Sequence, residues 1–454
     1  MKALPILLSV LLVVAAVGAG AFPPGESATV GDDADSPVRT ADSPAPTGDG
    51  PTPTDEPDPT GTAIATSPAI EGQLDPAAGN ATRVLGLADE EVERSDIRRD
   101  SADIGPALSF GVNTTAADLR TEAIERRIEA ANTTDERQRR ILAELSEIEQ
   151  QEVTLNQRER AAVDAYAAGD IDARELTVRL ARVSMESQLL RERLGVVREE
   201  AEETPEFSIG ARANNLDFKL RTYDGPVRDH VRRVLTGESP PERVFAETDG
   251  NGIVLTMLDG DTYVREATMP NRRDRSTTGS MTLETAENVT FTNYPGIAAT
   301  RKGANSIGSA GIVIVEVPHD AGLLTTYVDG GSERVFREHQ RIELGNATGS
   351  ETVGDVQEGL NVTVDRSYPG GPVRVTVLDA ETDRPVVGAT VTVGDAQRST
   401  VVGPTDDDGQ RWLVSPRDRF LLTVLGEGTT VARLEIEPTG TPHLERYEPE
   451  NETG

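Results

Sequence analysis

The sequence predicts a multidomain α+β protein: an antiparallel helical hairpin or small bundle, a duplicated helix-plus-hairpin α+β domain, and a C-terminal β-sandwich. Three observations carry this prediction. An apolar stripe with coiled-coil spacing runs through the first half of the chain, a charged motif recurs further along, and short alternating strands separated by Asp and Gly turns follow near the end. A length of 454 residues accommodates about two to four domains.

The composition resembles that of proteins from extreme halophiles. The formal net charge is −33, and of the 45 basic residues only Lys2, Lys219 and Lys302 are lysine. Carboxylates retain water and cations in concentrated salt, and the salt screens their mutual repulsion. An acidic chain without a basic stripe argues against a nucleic-acid partner. The absence of cysteine excludes disulfides, thiol nucleophiles and cysteine-based zinc sites.

The N-terminus predicts export. Lys2 precedes an apolar run that reaches Phe22, and Ala19-Gly20-Ala21 fits a small-x-small cleavage site. No twin arginine precedes the run, which favours a Sec-type route. The run is about 20 residues long, enough to cross a bilayer if it is not cleaved. Cleaved signal and retained anchor both stay open, and the membrane is contacted only in the second case.

A Pro/Thr/Asp-rich stretch follows the export segment and predicts a disordered spacer, because it cannot bury enough apolar surface to offset chain entropy. The exported chain also carries seven Asn-x-Ser/Thr sequons, which are candidate glycosylation sites. They are Asn80, Asn113, Asn132, Asn288, Asn346, Asn361 and Asn451. Asn113 and Asn132 are the strongest, because each is expected in a polar segment just before a helix.

Helices are predicted next, and the third of them is the clearest. Its apolar residues alternate at spacings of four and three, interrupted only by Ser187. They are Leu176, Leu180, Val183, Leu190, Leu194 and Val197. Asp172 with Glu175, and Thr133 with Glu136 one helix earlier, read as capping boxes. A short loop at Gly169 makes the two helices antiparallel neighbours, and the stripe is an intramolecular or an intermolecular seam.

The middle of the chain contains an internal repeat. The motif Gly252, Thr256, Asp259, Gly260 recurs 70 positions later, and Arg265-Glu266 recurs after a further two-residue insertion. The recurring residues are Gly322, Thr326, Asp329, Gly330 and Arg337-Glu338. Each copy predicts a hairpin preceded by a helix, near 227–235 and 285–293. This arrangement resembles PepSY-like modules of exported proteins. The recurring Arg-Glu pairs form either structural ion pairs at strand ends or a duplicated binding groove.

The last predicted domain is a small sandwich of alternating strands. Asp379, Thr382, Pro385 and Gly388 begin a pattern that ends in the alternating valines of Val391 and Val393, and a Thr-Asp-x-x-Gly turn follows at 405–409. This pattern resembles transthyretin-like and carboxypeptidase-regulatory-like modules of Ig type. Asp383 stands where those modules usually have glycine, which leaves the turn type open. Residues 360–364 are expected as an added edge strand.

We therefore divide the chain into seven segments, which are an export signal or anchor (1–21), a disordered linker (22–82), a helical coiled-coil domain (83–204), an α+β domain with an internal repeat (205–345), a connector (346–371), an Ig-like β-sandwich (372–437) and a polar tail (438–454). This order of parts resembles an uncharacterised group of haloarchaeal exported proteins.

Motifs for catalysis, cofactors and metals are absent from the sequence. It has no Gly-x-Ser-x-Gly elbow, no Walker loop and no His-Glu-x-x-His, and its four histidines have no metal-ligand spacing. We therefore expect a non-enzymatic exported cell-surface glycoprotein that binds protein or surface polymer, with the helical hairpin as scaffold. One alternative is a regulator or inhibitor of an exported peptidase that acts through the PepSY-like repeats. Another is an unrecognised glycan or peptide hydrolase. The oligomeric state stays open.

Overall fold

The computed structural model describes residues 83–87, 92–97, 103–274, 276, 279, 281–309, 311–347, 349, 351–394 and 399–444. The predicted export segment, the predicted linker and the two sequons at Asn80 and Asn451 lie outside these residues. Within them the chain combines α-helices with antiparallel sheets and ends in an Ig-like sandwich, which confirms the predicted α+β class.

Seven α-helices form within the described residues. They are α1 (Ile104–Glu129), α2 (Thr134–Ala167), α3 (Ala173–Glu202), α4 (Gly210–Arg221), α5 (Pro226–Leu235), α6 (Leu283–Asn293) and α7 (Pro295–Thr300). The predicted caps are present, since the Asp172 side chain accepts the Glu175 N–H at 2.8 Å and the Thr133 hydroxyl accepts the Glu136 N–H at 3.2 Å. Helix α1 begins earlier than the sequence predicts, because the Asp103 side chain caps it.

The apolar stripe of α3 is buried within its own chain, which makes it an intramolecular seam. Leu176 and Leu180 share a core with α5 and the central sheet, whereas Val183 and the residues after it pack against α1, α2 and α4. The polar interruption, Ser187, donates its hydroxyl to the Leu220 carbonyl of α4 at 2.7 Å. The helices and the sheet therefore share a core, so the helical segment is not a free-standing bundle.

The central sheet has eight strands in the described residues, in the order β1-β2-β3-β4-β8-β7-β6-β5. Its strands are β1 (Glu93–Ile97), β2 (Val244–Thr248), β3 (Ile253–Asp259), β4 (Thr262–Thr268), β5 (Asn305–Ser309), β6 (Ile312–His319), β7 (Gly322–Asp329) and β8 (Arg334–Glu343). Both predicted hairpins of the repeat are present, as β3–β4 and β7–β8. The second strands of the two hairpins pair with each other at the centre of the sheet.

Helices cover the sheet on both sides. On the side that we call the first face, Leu255 and Val264 pack against α3 and α5. On the second face, Ala267 and Leu324 pack against α6, α7 and residues 83–87. The helices that precede the two copies of the repeat, α5 and α6, therefore lie on opposite sides of the sheet.

The C-terminal sandwich is larger than the sequence predicted. Its sheets are β14-β11-β10-β9 and β13-β12-β15-β16. The strands are β9 (Glu351–Gln357), β10 (Leu360–Arg366), β11 (Pro372–Asp379), β12 (Thr390–Gly394), β13 (Ser399–Pro404), β14 (Gln410–Val414), β15 (Phe420–Leu425) and β16 (Val431–Ile436). The connector predicted at 346–371 is therefore wrong, because the sandwich strands β9 and β10 lie within it. The strand expected at 360–364 is present as β10, but it is not an edge strand. Strand β10 lies between β9 and β11, and the mostly exposed, polar β9 gives no alternating signal.

The turn after β11 shows why Asp383 can replace glycine. Asp383 has a φ of 55°, the left-handed conformation that glycine adopts most easily and that Asp tolerates. The Asp379 carboxylate stabilises the turn by accepting the N–H groups of Glu381 and Thr382 at 3.2 and 2.8 Å.

Among the described residues, no helix combines the length and the apolarity needed to cross a bilayer.

Candidate functional site

The two copies of the Arg-Glu motif direct equivalent side chains to opposite faces of the sheet. Strands β4 and β8 pair so that Glu266 lies opposite His339, and Ala267 lies opposite Glu338. Side chains of successive residues alternate between faces, and directly opposed residues share a face. Glu266 therefore lies on the first face and Glu338 on the second.

A β-bulge in the second hairpin causes this reversal. Tyr327 pairs with Arg337, but the next residue, Val328, pairs with Val335, so that Phe336 is an extra residue in β8. The two-residue insertion in the preceding turn would keep the alternation of faces, because two is an even number. The single extra residue reverses the alternation for the rest of the strand.

On the second face, Arg265 and Glu338 form a buried salt bridge between β4 and β8. The Glu338 carboxylate also accepts the Tyr294 hydroxyl at 2.6 Å and the Leu85 N–H at 2.7 Å. The Arg265 guanidinium donates to the Leu85 carbonyl at 2.8 Å. Burial and the neighbouring Glu338 charge raise the pKa of Tyr294 well above its ordinary value, which keeps its hydroxyl a donor. The pair thus has hydrogen-bond partners inside the protein.

On the first face, Arg228 of α5 bridges two carboxylates. Its guanidinium donates to Glu159 of α2 at 2.5 Å and to Glu266 of β4 at 2.7 Å. Burial alone would lower the pKa of Arg228, but the two carboxylates outweigh it and raise the pKa. Glu266 also accepts the Val227 N–H at 3.2 Å, in the first turn of α5, where the N–H has no partner within the helix. Gly225 leaves room for this contact, because a Cβ there would lie 2.1 Å from a Glu266 oxygen.

Arg337 extends the first-face network toward the loop between α4 and α5. Its guanidinium donates to the carbonyls of Thr222 and Asp224, the latter at 2.6 Å. Its Nε donates to Nε2 of His339 at 3.0 Å, so that this imidazole nitrogen is an acceptor. Burial, and then the positive charge of Arg337, hold the pKa of His339 well below its ordinary value, consistent with a neutral ring.

A cleft of about 360 Å³ opens beside this network, between α2, the β2–β3 turn and the segment after β4. We call it the polar cleft. Amide, hydroxyl, guanidinium and carboxylate groups share its wall with apolar side chains. The lining residues are Asn156, Glu159, Arg160, Val163, Asp164, Thr222, Gly250, Asn251, Gly252, Ile253, Thr268, Pro270, Asn271, Arg273 and Phe336. Arg273 is fixed there, with its guanidinium 4.5 Å from the centre of the Phe336 ring and 3.2 Å from Asp329. Glu159 belongs both to the cleft and to the buried network.

The four residues predicted as a binding groove are not at the surface. Arg265, Glu266, Arg337 and Glu338 lie within their strands rather than at strand ends, and each is at most 3% exposed. Their contacts are with other parts of the same chain, which supports the structural interpretation of the repeat.

Sequence reasoning missed Arg228 and Glu159, although a signal existed. Glu159 falls four residues after Leu155 and three before Ala162, on the buried side of α2. A charge at an apolar position of a helix predicts a buried ion pair. Glu144 in α2 shows the same signal, and it pairs with buried Arg193 of α3, whose pKa burial lowers to about 10.

Of the described sequons, Asn132 is exposed in the turn between α1 and α2, and Asn346 is exposed after β8. The expectation that Asn113 precedes a helix is wrong, because α1 begins at Ile104 and contains it. Asn288 is exposed on α6, whereas Asn361 is half-buried in β10.

The described residues contain one group of three carboxylates close enough to share a cation, formed by Glu125, Glu129 and Glu200. The Arg137 guanidinium already lies 2.9 Å from Glu200 and supplies a positive charge. Burial raises the pKa of Glu200. This group is therefore part of the ion pairing between α1, α2 and α3.

Comparison with protein families assigns most of the chain. A family model described as a domain of unknown function, DUF7096, matches residues 1–240, more than half of the chain. The chain belongs to the DUF7096 family. In this DUF7096 protein, residues 244–347 match a second family of unknown function, DUF7094, and residues 351–433 match the archaeal fibronectin-III type-like domain. No curated protein and no solved structure matches the chain.

These matches correspond to structural features of the DUF7096 protein. The DUF7094 match covers β2 to β8 and so contains both hairpins of the repeat, whereas α5 precedes it. The fibronectin-III type-like match begins at β9, which agrees with the sandwich including the strands of the predicted connector. The Ig-type character of the C-terminal module is thereby confirmed.

Proposed function

We propose that this chain is an exported cell-surface protein that binds a surface polymer without catalysing a reaction, with the helical hairpin as its scaffold. The observation that carries the proposal is the polar cleft. Two of its exposed lining residues, Asn251 and Asn271, offer amides that both donate and accept hydrogen bonds. Such groups recognise hydroxyl-rich polymers through many modest contacts rather than through one reactive group.

The charges beneath the cleft support binding over chemistry. The Glu159 carboxylate is already paired with Arg228, and the neighbouring His339 accepts a hydrogen bond from Arg337. A general acid or base needs a proton that it can exchange with substrate. Glu159 and His339 instead accept hydrogen bonds from the buried Arg228 and Arg337, so the network supports the cleft from below without supplying an exchangeable proton.

Export and surface location rest on the N-terminal apolar run and on the kind of C-terminal module. The run beside Lys2 fits a Sec-type signal or an anchor, and an archaeal fibronectin-III type-like domain fits a protein outside the cell. The acidity of the chain fits a halophilic source, and Asn132 and Asn346 are accessible positions for glycans. The Pro/Thr/Asp stretch would then space the folded part from the surface.

The proposal is tested by calorimetric titration of the protein in molar salt with oligosaccharides released from archaeal surface polymer. We expect one saturable site, and we expect Asn251→Ala and Asn271→Ala each to weaken it by about 2- to 10-fold, the effect of one lost hydrogen bond. Asn214→Ala is the matched control, because Asn214 is exposed on α4 outside the cleft. Unchanged affinity in both cleft variants would show that the polar cleft is not the binding site.

A second candidate is a regulator or inhibitor of an exported peptidase, which the resemblance of the repeat to PepSY-like modules favours. Helix α1 supplies a surface for a protein partner, because four large apolar side chains on it are 63–78% exposed. They are Ile104, Leu108, Val112 and Leu119. Recovery of a peptidase by affinity capture in molar salt, lost in Leu108→Asp, would favour this function. Capture that persists in that variant would count against it.

A further inference from the structure

Residues 83–87 bind to the second face of the sheet in the manner of a bound peptide. Residues 83–87 form no strand of the central sheet. Their one β-bridge within the described residues joins Val84 to His443. The Val84 N–H donates to the Pro442 carbonyl at 2.9 Å, and the Leu444 N–H donates to the Val84 carbonyl at 3.2 Å. The segment therefore runs beside the C-terminal end of the described chain.

Side chains of the sheet contact the main chain of this segment. Glu338 accepts the N–H of Leu85, and Arg265 donates to the carbonyl of the same residue. Gln340 donates its side-chain amide to the Arg83 carbonyl at 3.2 Å. Two oppositely charged side chains thus contact both polar groups of one peptide residue. Because these contacts involve only main-chain atoms of the segment, they would hold an extended peptide of another sequence as well.

The segment's own side chains give the site its specificity. Leu85 and Leu87 are buried in the core that α6, α7 and the sheet form. A Cβ at Gly86 would lie 2.5 Å from Nδ1 of His443, so the His443 ring would have to move to admit a side chain there. The groove therefore holds an apolar residue, then glycine, then a second apolar residue.

The receptor side of the site keeps contacts of its own. Arg265 and Glu338 pair with each other, and Tyr294 donates to Glu338. These contacts do not involve the segment. The segment is continuous with the predicted linker on one side and lies five residues before Val92 on the other.

We propose that this groove is a peptide-binding site that holds the chain's own residues 83–87 in this structure and takes an extended apolar-Gly-apolar peptide from another polypeptide in exchange. The covalently attached segment competes at a high effective concentration, so an external peptide binds well only when the segment is cut or drawn away. The groove lies on the second face and the polar cleft beside the first, so this proposal stands or fails independently of polymer binding in the cleft.

The test uses the full chain with a specific protease site in place of residues 88–91. After the folded protein is cleaved in molar salt, a fluorescent peptide of residues 81–87 is added, and its anisotropy is followed. We expect the N-terminal fragment to remain bound at first and then to exchange for the labelled peptide. N-methylation at Leu85 or Gly86→Ala in the peptide should weaken binding at least about 10-fold, through loss of the Glu338 contact or collision with His443.

A variant of the groove provides an independent measurement. Gln340→Ala removes one hydrogen bond to the peptide and leaves the Arg265–Glu338 pair, so affinity should fall about 2- to 10-fold in a folded protein. Three results would each overturn the proposal: no exchange of the cleaved fragment, loss of folding that the added peptide does not restore, or equal binding of the altered peptides.

Discussion

Glu266 and Glu338 occupy equivalent positions in the repeated motif, yet each carboxylate contacts the helical segment that precedes its own copy, on opposite faces of the sheet. Glu266 accepts the Val227 N–H of α5 at 3.2 Å, and Glu338 accepts the hydroxyl of Tyr294, at the α6–α7 junction, at 2.6 Å. The extra residue in β8 makes both contacts possible. The motif therefore attaches one helical layer to each side of the sheet.

Breaking the second-face ion pair from one side should destabilise the protein strongly. Glu338→Leu leaves the Arg265 charge buried without its partner, and we expect a loss of about 3–5 kcal/mol in the free energy of unfolding. The double variant Arg265→Leu/Glu338→Leu removes both charges and should cost less than the sum of the single variants. Denaturant titration in molar salt measures all three. A Glu338→Leu cost below about 1 kcal/mol would contradict the role given to the pair.

The contact of Gly225 with Glu266 predicts intolerance to a single methyl group. Gly225→Ala places a Cβ against the Glu266 carboxylate, so the Arg228–Glu266 contact must shift, at about 1–3 kcal/mol. Gly195→Ala is the control, because a Cβ at this position inside α3 meets no atom within 4 Å. That substitution should stabilise the protein by about 0.5–1 kcal/mol through helix propensity. Thermal unfolding of both variants is the measurement, and similar shifts in the two would refute the close contact.

The buried His339 predicts a loss of stability on mild acidification. Its folded-state pKa lies well below the ordinary value of 6.5, because burial and Arg337 disfavour the imidazolium. Between these two values the unfolded chain binds more protons, so this contribution is fully present above pH 6.5 and is lost progressively as the pH falls from 6.5 toward the folded-state pKa. His339→Gln keeps an acceptor for Arg337 and should make the free energy of unfolding depend less on pH between 7 and 5. An unchanged slope would show that His339 titrates normally. Because His230 and His319 also have pKa values lowered by burial, the variant keeps part of the slope.

The single tryptophan reports on the contact between the sandwich and the central sheet. Trp412 of β14 packs against the cluster of Tyr263, Ile342 and Leu344 in the central sheet and the turn after it, and the Tyr263 hydroxyl donates to the Gly370 carbonyl at 2.8 Å. We expect Trp412 emission and helical circular dichroism to change in one transition, because the interface is buried and hydrogen-bonded. Tyr263→Phe should lower the free energy of unfolding by about 1 kcal/mol. Two separate transitions in the unaltered protein would contradict the prediction that the sandwich unfolds together with the central sheet and its helices.

The sequence predicted the elements whose signals are local. The caps at Thr133 and Asp172 and the hairpins of the repeat depend on neighbouring residues, and the structure confirms them. The features that the sequence did not predict depend on whether a strand contains an odd or an even number of extra residues, and on contacts between residues far apart in the chain. One extra residue at Phe336 decides which face Glu338 joins, and no periodicity argument located it. The short polar strand β9 carries no apolar alternation, so the sandwich was predicted too small.

The polar cleft could not be predicted from the sequence for the same reason. Asn156, Asn251 and Asn271 come from a helix, a turn and the segment after β4, and only the folded chain brings them together. The charge of Glu159 on the buried side of α2 was visible in the sequence. Its partner Arg228, 69 residues away, was not.

The most direct test of the account as a whole is the intact mass and N-terminal sequence of the native protein, recovered separately from membrane, surface and cytoplasmic fractions of its source cells. An exported surface protein should be found in the membrane or surface fraction, or released into the medium. It should begin near Phe22 or retain its apolar run in the membrane, and its mass should exceed that of the polypeptide by attached glycan. An unmodified chain with its first residues intact, dissolved in the cytoplasm, would contradict the account.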